Sequence, residues 1–220
     1  MRNQKSTPRY LAVMAMFVAV SFISVLIAKV IPNVAGFLSY EPKDALIVIA
    51  GFLFGPISCV IVSVLVSLIE MLTISHTGFY GLLMNIVSSC AFAVPAAWIY
   101  TKHRNQKAAV LSLLVGMLTM TASMLIWNYI ITPFYMGVPR ETVAGMLATV
   151  FLPFNMVKSG INAGLALLLY KPIVSALRSA NLVAETKSGK KAKFSLGFFL
   201  FSLAVLVTFV LLLLVMLGVL

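Results

Sequence analysis

The side chains of this chain best able to hold a polar molecule sit in its least polar surroundings. Asn155, Lys158 and Asn162 lie in the apolar stretch Val150-Phe-Leu-Pro-Phe-Asn-Met-Val-Lys-Ser-Gly-Ile-Asn-Ala-Gly164. At 100° per residue these three positions fall within about 60° of one another on a helix, so two carboxamides and one ammonium share a stripe. Amides both donate and accept, and an ammonium donates three times, which suits a ligand rich in hydroxyls or carbonyls. Bare hydrocarbon would cost the amine several kcal/mol, so Lys158 must face protein, water or a ligand. Two partners are open to it: a bound molecule, or Glu70, the one acidic residue that the sequence places inside a span.

Other polar groups recur at apolar depth. Asn128 stands among aromatics in Trp127-Asn-Tyr-Ile-Ile-Thr-Pro-Phe-Tyr135, and Asn85 is followed by Ser88 and Ser89. Ser67, Glu70 and Thr73 share one broad face, and for these hydroxyls helix packing is the simpler account. Asn162 is open to the same reading. Ala12, Ala15 and Ala19 form a small-residue stripe that lets another helix approach closely, within the bundle or from a second membrane subunit. Catalysis has little to work with. No phosphate loop and no His-Glu-x-x-His occurs, His76 and His103 are isolated in predicted loops, and Cys59 and Cys90 are too few for a metal cluster. One acid in the spans also leaves few relay groups for an ion-coupled carrier.

The elements that must position these groups are membrane helices. A mean hydropathy of +1.09, 62% apolar residues and 10% charged residues do not describe a soluble domain. Six or seven apolar runs of the length needed to cross about 30 Å of hydrocarbon can be marked, near 10–31, 40–55, 57–74, 79–100, 108–133, 150–171 and 196–219. The N-terminus runs directly into the first long apolar stretch with no small-residue cleavage site, so that helix is expected to be retained. The second and third are either one over-long helix or a hairpin turning at Gly55-Pro56. A hairpin puts Arg2, Lys5, Arg9, Lys102, Arg104, Lys107, Lys171, Arg178, Lys187, Lys190, Lys191 and Lys193 on one side, twelve of the 16 Lys and Arg. Basic residues collect in cytoplasmic loops, so the N-terminus is expected inside. Lys29, Lys43 and Arg140 then fall outside. The net charge of +11 follows from this topology and from anionic lipid, not from nucleic-acid binding. Residues 32–44 and 134–141 mix aromatic, Gly, Pro and charged residues and are expected to cap a pocket. Residues 1–178 form the six-helix domain, 179–193 a polar, basic cytoplasmic linker, and 194–220 an appended helix whose simplest role is a lipid-facing anchor.

Six motifs give these runs a family likeness: Tyr40-Glu-Pro-Lys-Asp44, Gly51-Phe-Leu-Phe-Gly-Pro56, Gly81-Leu-Leu-Met-Asn85, Pro95-Ala-Ala-Trp-Ile-Tyr100, Trp127-Asn-Tyr-Ile-Ile-Thr-Pro133 and Phe151-Leu-Pro-Phe-Asn-Met-Val-Lys158. In order and spacing, over roughly residues 8–178, the chain resembles the substrate-binding S components of energy-coupling factor (ECF) vitamin transporters, most of all the riboflavin-specific type. The final helix departs from the usual six. The resemblance implies a non-enzymatic subunit of a bacterial plasma-membrane importer, with riboflavin as ligand and no cofactor. Its partners would be a transmembrane T component docked through Ala12, Ala15 and Ala19, and two ATPase subunits that hydrolyse ATP. Asn128, Asn155 and Lys158 would hydrogen-bond the ribityl hydroxyls and flavin edge, with Leu38, Tyr40 and Asn85 near the ring system. A pantothenate or pyridoxine S component, and a structural subunit without a ligand, are the competing readings.

Overall fold

A computed structural model describes residues 8–183 and 195–220. Its helices are α1 Pro8–Ala28, α2 Lys43–Phe54, α3 Pro56–Thr73, α4 Gly78–His103, α5 Gln106–Met136, α6 Arg140–Met146, α7 Leu152–Ser179 and α8 Leu196–Met216, with a π-helical turn at Leu147–Phe151 joining α6 to α7. Among the described residues six rods are long and apolar enough to span a membrane: α1, α3, α4, α5, the continuous 140–179 rod and α8. The bundle is all-α, as the hydropathy pattern requires. Most of the linker expected at 179–193, with the basic residues it carries and those at 2 and 5, lies outside the described residues.

The Gly55-Pro56 hairpin forms. Gly55 adopts φ 96°, a conformation open to glycine, and Pro56 opens α3 at a position whose N–H would have no partner. The expectation of a full span at 40–55 is corrected. α2 has 12 residues, about 18 Å at 1.5 Å per residue, too short for about 30 Å of hydrocarbon. Instead every residue from Lys43 to Phe52 is buried, and α2 stands inside the bundle against α1, α3, α4 and α7. Gly51 permits this fit, since a Cβ there would fall 2.1 Å from Cys59 Sγ and 2.8 Å from Ala97 Cβ. Lys43 is likewise corrected from an outer-loop residue to a fully buried one in the first turn of α2.

A two-residue link makes α4 and α5 an antiparallel pair. Arg104 takes the left-handed conformation that ends α4, and Asn105 caps α5 by accepting the Ala108 N–H at 2.8 Å. Gly116 lets the two helices close, because a Cβ there would lie 2.5 Å from the Phe92 carbonyl oxygen. The expected cap at 134–141 shrinks to a short turn, since α5 runs to Met136 and α6 starts at Arg140, and from this stretch Tyr135 lines the cavity. The first outer loop is the true cap. Val34 and Leu38 exchange backbone hydrogen bonds of 2.9 and 3.0 Å around a turn with positive φ at Ala35 and Gly36. Phe37 at its tip meets Phe151 of the π-helical turn edge-on, with ring centroids 5.9 Å apart.

Candidate ligand-binding site

Beneath that loop the outer ends of α3, α4, α5 and α7 enclose a cavity of about 310 Å³, within the range of small-molecule sites. Each helix contributes an inward polar residue because the rest of its turn is apolar and packs elsewhere. Asn85 comes from α4, Asn128 from α5, and Asn155 and Lys158 from α7. Phe37 and Leu38 of the loop, Met84 and Tyr80 of α4, Met124 and Ile131 of α5 and Phe154 of α7 supply apolar and aromatic wall. His76, in the α3–α4 turn, also reaches the cavity. The π-helical turn sets the register in which Phe154, Asn155 and Lys158 follow; such turns recur at functional sites.

One side of this cavity is a chain of buried ion pairs. Lys158 Nζ donates to Glu41 Oε2 at 3.0 Å, and Lys43 Nζ lies 3.2 Å from the same oxygen. Lys43 also holds both oxygens of Glu70, at 2.7 and 2.8 Å, and Asn85 Nδ2 donates to Glu70 Oε2 at 2.8 Å. Burial works against ionisation of Glu41, but the ammonium groups of Lys158 and Lys43 outweigh it and hold the carboxyl at about 2. The two amines therefore meet two carboxylates, and the wall is polar while its charges are largely spent on one another. Loop, α2, α3, α4 and α7 are cross-linked by it. Buried ion pairs of this kind owe little net stability to Coulomb attraction, but breaking one strands a charge.

The structure overturns the pairing of Lys158 with Glu70, since Glu41 takes the amine and Glu70 takes Lys43. Leu38, Asn85, Asn128, Asn155 and Lys158 are brought together around the cavity, while Tyr40 and Asn162 are not. Asn162 is fully buried and used up. Its Oδ1 accepts the Ala45 N–H at 3.1 Å, and its Nδ2 donates to the Glu41 and Lys158 carbonyls at 3.1 and 3.0 Å. It is the side chain that seats the N-terminus of α2. The Tyr40 ring packs with Val34, Phe154, Val157, Ile161 and Leu213, and its hydroxyl has no hydrogen-bond partner among the described residues. Asn128 is half committed, with Nδ2 on the Met124 carbonyl and Oδ1 taking the Thr132 hydroxyl. Asn155 gives Nδ2 to the Phe151 carbonyl at 2.8 Å, leaving Oδ1 for a ligand.

Sequence reasoning missed Glu41 and Ser88 as cavity-lining residues, and Lys43 as the buried amine that links Glu41 to Glu70. Ser88 lines the cavity with a buried Oγ that has no hydrogen-bond partner among the described residues. The alternation Glu-Pro-Lys-Asp ahead of an apolar helix signals Glu41 and Lys43, because charges entering a membrane bundle need partners. Nothing in sequence separates Ser88 from Ser89, whose hydroxyl donates to Asp44.

Paired charges beside an open amide oxygen suit the holding of a polar molecule. The model of the family described as "ECF transporter, substrate-specific component" matches residues 9–174. The chain belongs to that family. It is thus a multi-pass bacterial plasma-membrane subunit of a transporter and not an enzyme. It is 27% identical over 184 residues to the riboflavin transporter FmnP of Bacillus subtilis (strain 168), covering 78% of this chain and 97% of that one. It is 26% identical over 182 residues to the riboflavin transporter RibU of Staphylococcus aureus (strain TCH60), covering 80% and 95%. A solved S component of a bacterial ECF transporter superposes with a TM-score of 0.65 at 26% identity, over 76% of this S component and 96% of that chain.

Proposed function

We propose that this S component captures riboflavin at the outer face of the membrane and passes it to ATP-driven partner subunits. The cavity carries the reading. A flat, apolar ring system with a hydroxylated tail needs aromatic and aliphatic walls beside a row of amide and ammonium groups, and the site offers Phe37, Leu38, Tyr80 and Phe154 beside Asn128, Asn155 and Lys158. The names of the two relatives agree with it. Lys158 is already neutralised by Glu41, which favours an uncharged ligand over an anion such as pantothenate. On this reading the T component docks on α1, where Ala12, Ala15 and Ala19 are all exposed, and the ATPases hydrolyse ATP on its far side.

Purification in detergent tests the proposal. Co-purification of a yellow chromophore, or quenching of added riboflavin's fluorescence with saturation at one equivalent, is expected. A colourless protein that leaves the fluorescence unchanged would sink it.

A further inference from the structure

α8 reads by composition as a lipid anchor, yet it is one-sided. Ser202, Leu206, Phe209, Leu213 and Met216 recur at alternating spacings of four and three, the seam of a packed helix pair, and all five are buried or half-buried. Leu211, Leu212 and Val215 on the other side are exposed. The seam fits two glycines of α7. A Cβ at Gly160 would fall 2.4 Å from the Phe209 ring, and one at Gly164 would fall 2.9 Å from Leu206 Cα. Gly160 and Gly164 stand about 170° around α7 from the stripe of Asn155, Lys158 and Asn162. α8 therefore presses on the back of the helix that carries the binding residues.

Its outer end does a second thing. Leu213 is buried in one cluster with Val34 and Tyr40 of the capping loop and Phe154, Val157 and Ile161 of α7, with Leu38, Met216 and Leu217 packed against it. The same two elements supply the two ends of the Glu41–Lys158 pair. A single helix thus braces loop and α7 from outside the cavity.

Resting on the riboflavin reading, we propose that α8 is a positioning element of the ligand site, in which Phe209 holds α7 and Leu213 holds the capping loop, so that α8 sets how long the ligand stays. The brace acts on release more than on capture, because the loop must part from this cluster before the cavity opens.

The test uses the full chain in detergent with riboflavin as probe. Affinity is read by fluorescence quenching and release by stopped-flow dilution, in the parent, Phe209→Ala, Leu213→Ala and, as a control on the exposed face, Leu211→Ala. Hydrogen exchange at the Val34 and Leu38 amides is read in the absence of riboflavin. Release should be about tenfold faster in Phe209→Ala and Leu213→Ala, with association little altered, a change equal to about 1.4 kcal/mol. Leu211→Ala should match the parent, and Phe209→Met, which keeps a long apolar side chain, should restore slow release. In Leu213→Ala the two loop amides should exchange faster. Release rates within about twofold of the parent, with melting temperature alone reduced, would mean that α8 only packs, and would overturn the brace. A parent that fails to quench riboflavin defeats the functional reading instead, and the exchange measurement then decides the brace by itself.

Discussion

Lys158 Nζ on α7 lies 3.0 Å from Glu41 Oε2 in the capping loop, and Lys43 shares that oxygen at 3.2 Å. One carboxylate therefore ties two buried amines together. Glu41→Gln leaves Lys158 facing the cavity without a counter-charge, and loss of one partner of a buried pair costs about 3–5 kcal/mol. Melting in detergent should show Glu41→Gln to be the least stable of the single variants named here, with riboflavin binding lost or strongly weakened. A Glu41→Gln protein as stable as its parent would show the pair to be idle.

Lys158→Met should behave differently, since Glu41 keeps Lys43 when the α7 amine is gone. Stability then falls less than in Glu41→Gln. If the ligand accepts one hydrogen bond from the ammonium, the loss is about 1.5–3 kcal/mol, or roughly 10- to 150-fold in affinity. Titration by fluorescence quenching measures it. A total loss of binding with an intact fold would point to an anionic ligand and against a neutral flavin.

How far these relations were legible beforehand differs from residue to residue. The Gly55-Pro56 hairpin could be read because charge bias along the chain demands a reversal there, and the stripe of Asn155 and Lys158 because helical spacing alone places it. α2 misled: its apolar run of 40–55 is already short of the roughly 20 residues a span needs, Pro42 and the charges of Lys43 and Asp44 shorten the helix further, and burial on all sides is a tertiary fact. Asn162 shares the stripe and yet serves α2, because its depth below the cavity depends on how far α2 inserts. The partner of Lys158 was misjudged for a related reason. By sequence Glu41 reads as part of the first outer loop, 32–44, and only the inward fold of that loop carries it to the amine.

Asn155 and Asn162 should separate cleanly on substitution. Asn155→Ala removes an amide oxygen that accepts no hydrogen bond among the described residues, so riboflavin affinity should fall by about 0.5–1.5 kcal/mol with little change in melting. Asn162→Ala strips a capping acceptor from α2, at about 0.5–2 kcal/mol of stability, with affinity nearly kept in protein that remains folded. Paired melts and titrations on the two variants check this; the reverse pattern would place Asn162 in the site and Asn155 in the scaffold.

The α1 stripe makes a separable prediction, since Ala12, Ala15 and Ala19 face away from the bundle core. Ala15→Phe blocks close approach of another helix without touching the cavity. Riboflavin binding by the purified chain should be unchanged while uptake by cells expressing the complete transporter falls severely. Equal uptake by parent and variant would move the docking surface elsewhere.

Ser88 gives the sharpest test of the cavity itself. Its Oγ is buried, lines the site and has no hydrogen-bond partner among the described residues, whereas the neighbouring Ser89 hydroxyl donates to Asp44. A buried polar atom without a partner is unfavourable in the empty protein, so Ser88→Ala should leave stability equal or slightly raised. Once a ligand hydroxyl or carbonyl satisfies that oxygen, the same substitution costs affinity, by about 0.5–1.5 kcal/mol or roughly 2- to 12-fold. Ser89→Ala should do the opposite, because it leaves a buried Asp44 oxygen without its donor and destabilises the fold. Thermal melts with and without riboflavin resolve both effects at once: the ligand-induced rise in melting temperature shrinks in Ser88→Ala, and the ligand-free melt drops in Ser89→Ala. A Ser88→Ala protein with undiminished ligand-induced stabilisation would show that the bound molecule leaves this part of the cavity to water.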